Sequence, residues 1–366
     1  MTNVAKMRIA FRVDASIEIG TGHVMRCLTL AEALKGLGAK CHFICREHEG
    51  HLLEVIGNRG FSANALPLGE PGENGLAHGR WLGCGWRTDA EQTGEFLTAI
   101  KPDWLVVDHY AIDHRWEVEL QAHYRKLMVI DDLADRPHFC HLLLNQNLGF
   151  EAENYIDLVP QDCNLLIGPQ YALLRPEFAA LREYSLKRRQ GAHSLKQLLI
   201  TMGGVDRLNA TGTVLKALEG CDLPSDCCIV VVMGQKSPWV TQVRKVAETM
   251  PWPTEVRVGI SDMAKVIADS DLCIGAAGST SWECCCLGLP SIIVVIARNQ
   301  LIIAKALQAS GAAMVFQIEN ILHDQLNTGV SSMRENQTLL KMSKSASKIT
   351  DGAGICSIIK KLNKSV

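Results

Sequence analysis

An alternation constrains this chain more than any other feature. Short runs that are apolar at nearly every position, MRIAFRV (7–13), KCHFIC (40–45), WLVVDH (104–109) and KLMVID (126–131), are separated by stretches of helical character. A strand with one wet face alternates polar and apolar residues, whereas a strand apolar throughout has both faces covered. Such runs divided by helices predict a parallel sheet with helices on both sides. The segment 23–38 typifies the helices: Val24, Leu28, Ala31 and Leu34 recur at helical spacing and Gly38 suits the stop. The pattern then restarts with QLLITMGG (197–204), CCIVVVMG (227–234) and DLCIGAAGSTSWECCCLGLPSIIV (271–294). A length of 366 residues exceeds what one core usually supports. The expectation is therefore an α/β protein with two Rossmann-like domains, 1–185 and 186–348, facing a central cleft, and a C-terminal helix over 349–366. Ligands of such sheets bind at the carboxyl ends of the strands.

Between the two halves, FAALREYSLKRRQGAHS (178–194) is polar, basic and helical. It reads as a solvated linker helix rather than a nucleic-acid patch, because no aromatic interleaving or second basic cluster accompanies it. The net charge of −2 supplies no field for nucleic acid or an anionic membrane. The most apolar run, LPSIIVVIA (289–297), is too short to span a bilayer, and the start lacks the long apolar core of a signal peptide. These features predict a soluble cytoplasmic protein with neither nucleic acid nor membrane as partner. None of the 14 cysteines forms a C-x-x-C pair, and consecutive Cys284, Cys285 and Cys286 would diverge around a helix. They read as small buried apolar residues, not metal ligands.

Four constellations could carry chemistry. In GAAGSTSWE (275–283), Gly278 permits close backbone approach, and Ser279 and Thr280 open a helix whose free N–H groups suit an anion such as a nucleotide diphosphate. Glu283 would accept ribose hydroxyls; the competing reading is an ordinary helix start with a Thr280–Glu283 capping box. The run is neither a Walker motif nor a dinucleotide fingerprint. In MGGVDRLNAT (202–211), Gly203, Gly204 and Asp206 form either a second backbone nest or a plain strand-to-helix turn. In RVDASIEIGTGHVMRC (12–27), Gly20 and Gly22 allow a tight turn against a ligand, with His23 at the helix start. The positive helix end and nearby Arg26 favour a neutral imidazole, able to accept a proton near neutral pH. Arg12 and Asp14 lie at the strand exit, where both can point into the cleft; a first-turn surface histidine is the alternative for His23. In VVDHYAID (106–113), Asp108, His109 and Tyr110 lie at a strand end, the usual place for function in such sheets; Tyr110 can donate to a sugar or phosphate oxygen, while Asp108 could instead be purely structural. In LLLNQN (142–147), Asn145 and Asn147 suit sugar hydroxyls or N-acetyl groups, or else form a turn.

Together FRVDASIEIGTGHVMRCLTLA, VVDHY, LLLNQN, PQYALLRPEF, ITMGGVD and GAAGSTSWECCCLGLP resemble the UDP-sugar hydrolases of pseudaminic acid biosynthesis. The motifs run in the family's order from Arg8 to about Ala313. The R-x-D-x-S-x-x-I-G-x-G-H-x-x-R run is the specific part; G-x-x-G-S/T-x-x-E is shared with transferases. The resemblance implies the GT-B fold, kinship with the N-acetylglucosaminyltransferase that makes lipid II, and a small-molecule UDP-sugar as partner. It implies that water attacks the anomeric carbon of UDP-2,4-diacetamido-2,4,6-trideoxy-β-L-altropyranose with inversion and C–O cleavage, without metal or cofactor. By the same resemblance His23 activates or positions the water, and Tyr110 lies near the sugar and phosphates. Asp14, Asn147 and the Gly203–Gly204 turn line the sugar side. Ser279 and Thr280 take the phosphates, Glu283 the ribose, and the backbone around Ile260 the uracil. The segment 72–86 is longer than in some relatives and reads as a loop. A glycosyltransferase on the same fold and a non-catalytic nucleotide-sugar-binding protein are the alternatives.

Overall fold

The structure is a computed structural model that describes residues 3–364, apart from 71, 73, 192, 193, 322, 334 and 335. It divides into two compact units, Met1–Leu173 with Gly354–Val366, and Leu174–Ala353.

The first unit carries a seven-stranded sheet. Its strands are β1 (Arg8–Val13), β2 (Lys40–Arg46), β3 (Ser62–Leu66), β4 (Trp104–Asp108), β5 (Lys126–Ile130), β6 (Leu142–Asn145) and β7 (Asn164–Ile167). Their order is β3-β2-β1-β4-β5-β6-β7, with every pair parallel. Side chains of a strand alternate between faces. Accordingly Ile9, Phe11 and Val13 enter one buried cluster, with Leu28 of the helix Gly22–Gly36, while Ala10 enters the other, with Leu97 of the helix Trp86–Ile100. Both faces are covered, as the unbroken apolar runs require.

The second unit repeats the plan with β8 (Gln197–Thr201), β9 (Cys228–Met233), β10 (Thr254–Val258), β11 (Leu272–Ala276), β12 (Ser291–Val295) and β13 (Ala313–Gln317). Their order is β10-β9-β8-β11-β12-β13, again all parallel. In each sheet the order reverses direction next to the first strand, the switch point at which open α/β sheets place ligands. Both units are Rossmann-like, and the chain has the two-domain GT-B fold.

The division falls after Leu173 rather than after residue 185, and the last helix is not a separate body. The helix Gly354–Lys364 belongs to the first unit because Ile355, Ile358 and Leu362 join the core of β1 and the helix Gly22–Gly36. The expected linker helix, Pro176–Arg188, is not solvated along its length but docked on the second unit. Arg188 reaches Asp271 Oδ1 at 2.6 Å. Arg189 is buried and donates to the carbonyls of Ser270 at 2.7 Å, Ile267 at 3.0 Å and Leu287 at 3.1 Å. Two of these carbonyls lie at or beside the end of the helix Met263–Asp269, where acceptors lack partners and a planar guanidinium can serve several at once. The basic block is thus an internal tie; Ala192 and His193 of that stretch lie outside the described residues.

All 14 cysteines are free thiols and all but Cys163, Cys228 and Cys356 are buried, so they serve as small apolar residues. Burial pushes the Cys286 thiol up to about 11. Among the described residues, no helix is long and apolar enough to cross a membrane, and no group of three or more His, Cys, Asp or Glu could hold a metal ion.

Candidate functional site

β1 leaves its sheet into a loop built around Ser16. Its hydroxyl accepts the N–H groups of Glu18 at 3.1 Å and Ile19 at 2.8 Å, and its carbonyl accepts that of Gly20 at 2.8 Å. Gly20 turns the chain at φ +84°, a conformation that favours glycine. Gly22 is the first residue of the next helix, with open space where a Cβ would stand, so the tight turn depends on Gly20 alone.

The turn aims His23 at the end of β4. Its Nδ1 lies 2.6 Å from Asp108 Oδ1, and its side chain is 11% exposed, which is not a surface histidine. An ionised carboxylate only accepts, so Nδ1 is the donor in this contact, and in the neutral form of the ring the lone pair lies on Nε2. Arg26, one turn on, holds Asp108 with both arms of its fork, Nε at 2.6 Å and Nη2 at 2.7 Å. Burial would raise the Asp108 carboxyl, but Arg26 and then His23 hold it well below the usual range. Arg26 also donates to both oxygens of Asp132, at 3.0 and 2.8 Å. The nearby cation expected from sequence is therefore present but matched by two carboxylates.

Asp132 gathers the rest. The Tyr110 hydroxyl donates to Oδ2 at 2.7 Å, and Asn147 Nδ2 donates to Oδ1 at 2.6 Å. The Tyr110 ring meets His23 edge-on, with centroids 4.7 Å apart. His23, Tyr110 and Asn147 are thus brought together, linked by three residues outside the expected set: Arg26, Asp108 and Asp132. The Tyr110 proton is already committed within the protein, and burial followed by the charge of Asp132 holds that phenol well above its usual range.

Arg12, Asp14 and Asn145 were expected to face a ligand; the structure places them inside. Arg12 is fully buried and donates to Asp14 Oδ1 at 2.6 Å and to Asp89 at 3.1 and 2.6 Å. Asp14 Oδ1 also accepts the Arg46 N–H at 2.6 Å, and its Oδ2 lies 3.1 Å from His109 Nε2. This network braces the ends of β1 and β2, and every strong donor of Arg12 has its acceptor within the chain. Asn145 takes the turn-forming role: its Oδ1 accepts the Asn147 N–H at 2.9 Å and its Nδ2 donates to the Tyr155 hydroxyl at 2.9 Å.

The remaining expected residues lie in the second unit. β8 and β11 are neighbours, so the turns that follow them open at adjacent strand ends. After β8, Gly203 turns at φ +87°, and the Gly204 carbonyl packs where a Cβ on Gly234 would stand. Asp206 accepts the N–H groups of Ala210 at 2.8 Å and Thr211 at 2.9 Å. That helix start is filled by the chain's own carboxylate, so the turn is structural rather than an open nest. After β11 the case differs. The helix Ser279–Cys286 has neither a side-chain cap nor an acidic residue in its first turn, with Ser279 exposed and Thr280 half-buried. Gly278 donates its N–H to Ser281 Oγ at 3.3 Å. Ile260, part-exposed, follows Gly259 at φ +63° between β10 and the helix Met263–Asp269.

Glu283 keeps some exposure, yet burial pushes its carboxyl up to about 7, against the opposing charge of Arg175 and with Glu177 adding to the rise. A carboxyl whose folded value lies above its unfolded one takes up protons on folding, so stability falls as pH rises from about 4.5 to 7. Glu283→Gln removes that cost. The variant is expected to gain about 1–2 kcal/mol over the parent near pH 8, after allowance for partial exposure, and nothing near pH 4. Urea midpoints at the two pH values check this, and equal gains at both would contradict it.

Residues 191–356 match the glycosyltransferase family 28 C-terminal domain. An uncharacterised protein of Methanocaldococcus jannaschii, MJ1062, is 26% identical over 81% of this chain, which spans 56% of that protein's length. The UDP-2,4-diacetamido-2,4,6-trideoxy-β-L-altropyranose hydrolase of Campylobacter jejuni is 26% identical over 80% of this chain and 93% of its own. Among solved structures, MurG of Acinetobacter baumannii is 17% identical, with a TM-score of 0.71 over 97% of this chain and 99% of that one. The chain is accordingly a GT-B protein related to nucleotide-sugar enzymes.

Proposed function

We propose that the chain is a UDP-sugar hydrolase that takes UDP-2,4-diacetamido-2,4,6-trideoxy-β-L-altropyranose in pseudaminic acid biosynthesis. The observation that carries this reading is the 2.6 Å contact between His23 Nδ1 and Asp108. It supports a reading in which the imidazole is oriented by Asp108 and Nε2 acts as the base toward water. Water attacks the anomeric carbon as its proton passes to Nε2; the carbon–oxygen bond to the β-phosphate breaks, and UDP leaves with the electron pair. Attack opposite the leaving group inverts the centre. The uncapped helix at Ser279 and Thr280 offers N–H donors to the diphosphate as its charge develops. Glu283 takes the ribose and the backbone around Ile260 the uracil. The Campylobacter relative supports the substrate class.

The family 28 match and the likeness to MurG favour a second reading, a glycosyltransferase. Incubation with UDP-diacetamido sugars and no acceptor, followed by NMR of the products, separates the two. The hydrolase reading expects free UDP and a free sugar of inverted anomeric configuration. UDP released only when an acceptor alcohol is added would make the protein a transferase, and saturable UDP binding without turnover would make it a binding protein.

A further inference from the structure

The segment 72–86 has no part in the chemistry above, yet its described residues form an anchored strap rather than a free loop. Buried Asn74 donates to the Ala111 carbonyl at 2.9 Å, and its own carbonyl accepts Arg115 Nη2 at 2.6 Å. Gly69 N–H donates to the Gly83 carbonyl at 3.0 Å, and Leu82 and Cys84 are buried. Gly79 lies so close to Asn74 that an added Cβ would stand 2.7 Å from the Asn74 Cβ. Arg80 Nη2 meets Glu18 Oε1, on the loop leading to His23, at 2.5 Å.

These anchors hold two rings beside the reacting group. Trp81 stacks on Tyr110, with centroids 5.6 Å apart and planes 19° from parallel. His78 packs 4.4 Å from Trp81 and 5.4 Å from Tyr110, and Tyr110 in turn meets His23 at 4.7 Å. Tyr110 is buried, but Trp81 and His78 are only half-buried. A protein that merely needed to cover Tyr110 would gain by burying the indole; this one fixes it with part of its surface in water. A flat, rigid aromatic surface with a polar tip is what the C–H face and the acyl groups of a pyranose ring recognise. Burial also pushes the His78 imidazole below its usual value, which leaves the wall uncharged near neutral pH.

We infer that Trp81 and His78 form the wall that recognises the carbohydrate at the His23 site, taking the apolar face of a neutral, N-acylated amino-sugar ring and so setting which sugar is accepted. This rests on the nucleotide-sugar reading. It predicts that Trp81 acts on the sugar and not on UDP. In a His23→Asn background, where turnover is slowed about 10²–10⁴-fold, calorimetry with UDP and with UDP-2,4-diacetamido-2,4,6-trideoxy-β-L-altropyranose gives the increment due to the sugar. Trp81→Ala is expected to leave the UDP Kd within about twofold and to weaken the UDP-sugar about tenfold, with Trp81→Phe recovering most of the loss. With His23 present, the same change raises KM more than it lowers kcat. If Trp81→Ala does not fold, Trp81→Leu, which keeps apolar bulk without a flat face, carries the same expectation. An unchanged sugar increment beside an active parent protein removes the wall alone. A parent that neither binds UDP nor releases it removes the nucleotide-sugar reading, and the wall with it.

Discussion

His23→Asn is expected to lower kcat for UDP release by about 10²–10⁴-fold, the usual worth of a positioned general base, while UDP still binds. Asparagine can keep a donor near Asp108, where Nδ1 now stands 2.6 Å from the carboxylate. It has no nitrogen lone pair to take the proton of water, so geometry is largely preserved and basicity is lost. The UDP contacts proposed for Ser279, Thr280 and Glu283 are untouched, because those residues belong to the other unit. His23→Leu should match Asn in kcat, since both lack the base. Single-turnover UDP release with calorimetric UDP binding checks the pair. A His23→Asn protein with parental kcat would take His23 out of the reaction.

Such a prediction was within reach of the sequence because His23 follows a glycine turn at a strand exit. Its partner is visible with two roles open: Asp108 ends β4, where a functional and a structural carboxylate look alike. Asp132, two residues past the end of β5, carries the same strand-exit signal and was not singled out. The strap residues His78 and Trp81 were hidden because nothing local says which ring a loop will meet. Fold legibility followed a similar line. The inner strands β1, β4, β8 and β11 are apolar runs because both faces are covered. Among the strands missed were the sheet edges, β3 (SANAL), β7 (NLLI), β10 (TEVRV) and β13 (AMVFQ), which are short and, apart from β13, interrupted or flanked by polar residues. Edge strands bury less and need no continuous apolar run. The return of the last helix to the first unit rests on contacts with the helix Gly22–Gly36, near the opposite end of the chain, and with Pro169–Tyr171, and no local pattern encodes them.

Arg12 and Asp14 show the limit most clearly, and they lead to the largest expected effect on stability. From sequence both can point into the cleft, as charge at a strand exit often does. What keeps them inside is Asp89, far along the chain on the helix Trp86–Ile100. Its carboxylate accepts Arg12 at 3.1 and 2.6 Å, Arg46 Nη2 at 2.7 Å and Trp116 Nε1 at 2.9 Å, and all four side chains are fully buried. Asp89→Ala leaves the buried Arg12 guanidinium with Asp14 alone and that of Arg46 with only the neutral acceptors Gln92 Oε1 and the Pro67 carbonyl. Breaking a buried ion pair from one side typically costs about 3–5 kcal/mol, and Asp89→Ala is expected to cost that much. Asp89→Asn should cost nearly as much, because its amide turns a donor toward donors. The pH dependence has a definite sign. Burial would raise the carboxyls of Asp89 and Asp14, but Arg12 with Arg46 at Asp89, and Arg12 with His109 and His48 at Asp14, together hold both below their ordinary values. Their contribution is therefore whole above the unfolded carboxyl value of about 3.9 and is lost as pH falls through the folded values. Urea midpoints measured from about pH 7 down to about pH 3 should decline less steeply in Asp89→Ala than in the parent. At a temperature where the variant is folded, its kcat should fall far less than that of His23→Asn, since Asp89 contacts none of His23, Asp108 or Asp132 through a hydrogen bond. A variant with the parent's midpoint and the parent's slope would mean that the Arg12–Asp89–Arg46 cluster adds nothing to the fold.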